Sequence, residues 1–158
     1  MALLLTALPG PSWGALTANT MVTVAAPMAS SAQLTLSPLT INFPDADPGT
    51  VPSIPATGNP VSVTVNATTG YLQTVTLTAL AQGDLVSGGS TIPISNVTWT
   101  ASGSGFSGGT MSKSVAQQVG RWTGSGTRTG TLSFFLSNSW SYATGNYTQK
   151  VTFTLTAP

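Results

Sequence analysis

Three aspartates, Asp45, Asp47 and Asp84, and two lysines, Lys113 and Lys150, are the side chains with which this chain could attempt acid–base or covalent chemistry. It contains no histidine and no cysteine. The commonest general base, the commonest zinc ligands, a thiolate nucleophile and any disulfide framework are thereby removed. Asp45 and Asp47 lie between Pro44 and Pro48 and could lend two oxygens to Ca²⁺. A calcium site wants about six to eight oxygens, so an Asp-Pro turn is the stronger reading. Glycoside hydrolysis needs two acids across a cleft, and no motif supports Asp84 opposite Asp45 or Asp47. The serines lack a base other than Lys113 or Lys150, and Ser112, Lys113 and Ser114 read as a polar strand edge. A Lys–Asn crosslink would need one of those lysines beside an Asn and a buried acid, for which Asp84 is the plausible residue. Residues 103–109 are glycine-rich but lack the Lys and Ser/Thr of a phosphate loop. No catalytic site, cofactor or metal is expected, and no enzymatic activity.

The aromatic residues offer a different chemistry. Trp99, Trp122, Trp140, Tyr142 and Tyr147 could stack on sugar rings. Trp99 shares the phase of Val97 and belongs to the core on this reading. Trp140 and Tyr142 fall in a polar loop and are the expected surface aromatics. Asn66, Asn96 and Asn146 each precede a Thr by two positions, as a glycosylation sequon requires. Charged residues make up 4% of the 158 residues, with a net charge of +1, against about 25% charged in an ordinary soluble domain. Scattered cations at this density give no footprint for nucleic acid, and little self-repulsion opposes association.

The elements that must position these side chains are strands. Leu39, Ile41 and Phe43 alternate with polar residues. So do Val61, Val63 and Val65; Val75, Leu77 and Ala79; Val97, Trp99 and Ala101; and Leu132, Phe134 and Leu136. The cleanest run is Val151, Phe153, Leu155 and Ala157, interleaved with Thr152, Thr154 and Thr156. Period two puts one face on a core and the other in water, and Thr favours extended backbone. Gly, Pro, Asn and Asp punctuate the runs. The expected fold is an all-β, immunoglobulin-like antiparallel β-sandwich of roughly seven to nine strands with an N-terminal extension strand. Trp99, Phe134, Val151, Phe153 and Leu155 are its expected core, with the C-terminal strand central.

The N-terminal region divides in two. Residues 2–7 (ALLLTA) form a short apolar run that Pro9, Gly10 and Pro11 break, and Ser12 and Gly14 supply a small-x-small pair. Residues 1–15 therefore read as an export signal. Residues 16–31 read as an extension and linker, and 32–158 as the sandwich domain. Within the extension Val22, Val24, Ala26 and Met28 share one phase, and no charge occurs before Asp45. Such a segment can pack on its own domain or donate a strand to a neighbour.

Three features together resemble the β-sandwich subunits of bacterial surface fibres, the chaperone–usher pilins and spore-coat-U-like proteins. They are the signal followed by residues 20–28, the Thr-rich alternating sandwich, and the closing run from Gly145, Asn146 and Tyr147 into strict alternation. The resemblance implies a secreted structural subunit of an extracellular filament or cell surface. It would polymerise by donating Val22, Val24, Ala26 and Met28 to the next copy. The implied partners are further copies of the chain, a periplasmic chaperone and an outer-membrane assembly protein. The alternative reading is a secreted carbohydrate-binding or adhesive β-sandwich module that uses Trp140 and Tyr142.

Overall fold

The computed structural model describes residues 23–158. The export signal expected at residues 1–15 and the donor residue Val22 lie outside them. The described chain is all-β, built of antiparallel sheets packed face to face, and its one helical element is a 3-10 turn at Ile94–Asn96. In chain order the strands are β1 (Ser31–Ser37), β2 (Ser53–Pro55), β3 (Val61–Thr68), β4 (Thr74–Ala81), β5 (Leu85–Ser87) and β6 (Ser90–Ile92). There follow β7 (Val97–Ser102), β8 (Gly109–Thr110), β9 (Gln117–Thr123), β10 (Gly126–Ser137) and β11 (Val151–Thr156). The larger sheet runs β1-β3-β10-β7-β8, with β2 added beside β10; the smaller runs β11-β4-β9; β5 and β6 form a hairpin.

Alternation decides what each sheet buries. Val61, Val63, Val65 and Ala67 of β3 face Val75, Leu77, Ala79 and Ala81 of β4 across the core, with Leu132, Phe134 and Leu136 of β10 and Trp99 of β7. Both core tryptophans bury the indole ring without orphaning its N–H. Trp99 Nε1 donates to Ser107 O at 2.9 Å and Trp122 Nε1 to Ser104 O at 2.8 Å. The glycine-rich stretch between β7 and β9 supplies those carbonyls. Gly105 lies against Trp122 at φ +80°, where a Cβ would collide with the indole.

Two poles can be defined from the registers. The upper pole holds the start of β1, where Ser31 pairs with Thr68, the β3–β4 turn, the β9–β10 turn and the end of β11. Thr69 Oγ1 donates to Pro158 O there. The lower pole holds the end of β1, the start of β11 where Val151 pairs with Ala81, and the long segments 38–52 and 138–150. Asn138 Nδ2 ties those two segments together through Ala46 O (2.9 Å) and Val51 O (3.1 Å).

Several expectations need correction. Leu39, Ile41 and Phe43 do not form a strand. Only Asn42 makes a bridge, to Thr57; Leu39 is exposed, while Ile41 and Phe43 pack partway under the sandwich edge. The alternation there is real, but pairing goes no further than the reciprocal backbone bonds of Asn42 and Thr57. Residues 112–114 are a bend between β8 and β9, not a strand edge, because Ser112 Oγ accepts the N–H groups of Ser114 and Val115. The C-terminal strand is not central: β11 pairs only with β4 and forms the edge of the smaller sheet. Val151, Phe153 and Leu155 point inward but are half-buried, whereas Trp99 and Phe134 are buried. Residues 23–30 form no strand, and Val24 (88% exposed), Ala26 and Met28 (85% exposed) face solvent. Within one copy these apolar side chains have no partner edge.

Candidate functional site

On one side of the sandwich both sheets end in a strand without a further partner among the described residues. β1 closes the larger sheet and pairs only with β3; β11 closes the smaller and pairs only with β4. These two edges stand opposite each other on the same side of the core, close enough to touch. Registers fix which side chains line the gap. Leu34 and Leu36 lie opposite Val65 and Val63, and Val151, Phe153 and Leu155 opposite Ala81, Ala79 and Leu77. All five therefore face inward, as their buried partners do. Yet each is only half-buried, while those partners are nearly sealed. Among the described residues, no strand pairs with the outer edge of β11 or β1. An uncovered strand edge over a partly exposed apolar row is a template for one further strand. On the outer face of β11, Thr152, Thr154 and Thr156 point to water.

The polar candidates assemble less. Asp47 Oδ1 accepts the Gly49 N–H at 2.9 Å and closes a turn in the Pro-flanked loop. Asp84 is held by two donors: Lys113 Nζ at 2.5 Å on Oδ2, and the Ile94 N–H at 3.0 Å on Oδ1. Lys113 and, next, the Ile94 N–H hold its carboxyl below the usual carboxylate range, against a smaller opposing effect of burial. Lys113 thus meets Asp84 itself, and among the described residues no asparagine amide hydrogen-bonds to either lysine. A carboxylate so stabilised is a poor electrophile and a poor base. The pair is the floor of a shallow depression with Ile94, Met111 and Ser112, and its visible work is to join the β4–β5 loop to the segment before β9.

The two surface aromatics part company. Trp140 is 77% exposed. Tyr142 is half-buried, a correction to its expected place on the surface: its hydroxyl donates to Ser137 O at 2.9 Å and accepts from Asn96 Nδ2 at 2.7 Å. The phenol is a cross-brace between loops, and Asn96 is engaged in the same contact. The open edge itself went unread in the sequence, although one signal was present. The clean alternation of β11 is the pattern of a strand with one face in water, and nothing in it distinguishes an edge from a centre.

Comparison with protein-family models, with curated proteins and with solved structures found no match.

Proposed function

We propose that this chain is a non-catalytic structural subunit that polymerises outside the cytoplasm by strand addition. The exposed segment before β1 of one copy adds to the unpaired edge of β11 in the next, beside β1. The observation that carries this reading is the pair of neighbouring edges, β1 and β11, that end their sheets without a further strand and whose inward apolar residues stay partly exposed in the single chain. The segment to cover them is at hand. Residues 20–28, extended, reach about 30 Å, more than the roughly 20 Å covered by the six residues of β11. Val22, Val24, Ala26 and Met28 recur at the two-residue spacing that a row of inward-facing side chains requires. Burying Val22, Val24 and Met28 would contribute about 1.5–3 kcal/mol each before ordering costs. A chaperone that shields the gap and an outer-membrane assembly protein belong to the same reading. The carbohydrate-binding alternative needs an aromatic platform, and only Trp140 of its two residues is free to form one.

Deleting residues 16–28 tests the proposal. That variant should stay monomeric by analytical ultracentrifugation and form no filaments in negative stain, with its circular dichroism unchanged. Filaments from the deleted chain would exclude strand addition.

A further inference from the structure

At the upper pole the fold displays apolar side chains that it does not use. Tyr71 (91% exposed) and Leu72 (67% exposed) form the tip of the Gly70–Gln73 turn, closed by the Gln73 N–H donating to Gly70 O at 3.1 Å. Leu72 occupies the third position of that turn at φ +62°. Gly or Asn suits this left-handed conformation, and a bulky residue there is strained. Strain carried by a side chain that gains no burial points to a surface covered in another state. The opposite pole presents Trp140, in contact range of Gly49 and close to Asp47. Charge is divided between the poles as well. Arg121 and Arg128 lie in the upper half of their strands. Asp45, Asp47 and the Asp84–Lys113 pair lie at the lower pole with Lys150.

Chain direction says which poles meet, if strand addition holds, and the inference rests on that reading. The segment 23–30 leaves its own domain at the upper pole, because Ser31 pairs with Thr68. β11 runs from the lower pole to the upper. A donated strand parallel to β11 would bring the donor's upper pole onto the acceptor's upper pole. The acceptor's own segment leaves from there, so two neighbours would compete for one surface and growth would stop. Antiparallel insertion ends at the acceptor's lower pole and repeats without limit, as an open heterologous assembly does.

We propose that the Tyr71–Leu72 tip of one copy docks on the Trp140-bearing lower pole of the next copy, a second contact that fixes adjoining subunits end to end. The cysteine-free chain permits a direct test. Full-length Gln73→Cys and Ser141→Cys proteins are mixed, assembled and oxidised. Disulfide-linked pairs are expected in the mixture and not with Gln73→Cys alone. Gln73→Cys homodimers overturn the proposal. So does an absence of cross-links in filaments that deletion of residues 16–28 abolishes, an outcome that leaves strand addition standing. Wild type that forms no filaments even in its native host removes both readings. Independently, Tyr71→Ser with Leu72→Gly should weaken subunit association about tenfold or more, while a synthetic peptide of residues 20–28 still binds. Unchanged association in that variant overturns the pole contact.

Discussion

Truncating Phe153 should have two different costs, depending on whether the gap beside it is filled. The ring lies opposite Ala79 and faces the core, but it is half-buried, whereas Phe134 on β10 is buried. Fully buried Phe→Ala changes cost about 3–5 kcal/mol. Phe134→Ala should approach that range in the monomeric chain lacking residues 16–28. Phe153→Ala should cost less there, about 2–3 kcal/mol, since part of the ring stays in water in the single chain. In the proposed assembly a donated strand would cover the rest of the ring. Phe153→Ala should then destabilise the polymer by about 1–2 kcal/mol more than the monomer, while the Phe134→Ala cost stays the same in both. Urea unfolding of the deletion variant, followed by fluorescence, gives the first pair of values. Depolymerisation by urea, followed by light scattering, gives the second. Equal costs for Phe153→Ala in both states would refute the reasoning, because the gap would then receive no strand over that ring.

Val24→Asp should raise the critical concentration for assembly without moving the urea midpoint of the domain, since Val24 is exposed in the single chain; sedimentation against concentration reads it. Asp84 has a folded pKa below its unfolded value of about 3.9, so its stabilising contribution is present above that pH and is lost as pH falls through the folded value. Lys113→Ala should flatten the acid limb of stability below about pH 4 in urea titrations at stepped pH. Gly105→Ala should lower stability by several kcal/mol on the order of a large core change, because φ +80° is strained for alanine and the added carbon meets the Trp122 indole; a near-wild-type urea midpoint would show that the loop can move away.

The strands legible in the sequence are those whose alternation meets a partner on at least one side. β3, β4, β7, β10 and β11 all stand where apolar residues, Val, Leu, Phe, Trp or Ala, recur at every second position. β9 carries no such period because its pairing with β4 shifts register at Leu77/Thr78, which leaves the adjacent Val119 and Gly120 both buried before Trp122. A bulge breaks period two at the point where it would be recognised. β2, β5, β6 and β8 have two or three residues each and carry no period at all. The open side was illegible for another reason: which strand lies at an edge depends on order in the sheet, and order is set by contacts far apart in the chain. Leu72 is illegible in the same way, since its φ depends on the turn that holds it.

The threonine rows have a consequence for the finished surface. On the outer face of the smaller sheet Thr76 and Thr78 of β4 sit beside Thr156 and Thr154 of β11. Arg121 of β9 stands on the same face opposite Thr76, but with only seven ionisable Lys, Arg and Asp side chains in the chain, most of the water affinity of this flank comes from hydroxyl groups that neither gain nor lose protons in any habitable medium. Such a wall gathers few counterions, so its hydration changes little between fresh water and brine or with pH. Particles built from it would stay wettable where charge-stabilised colloids flocculate, and would drift little in an electric field.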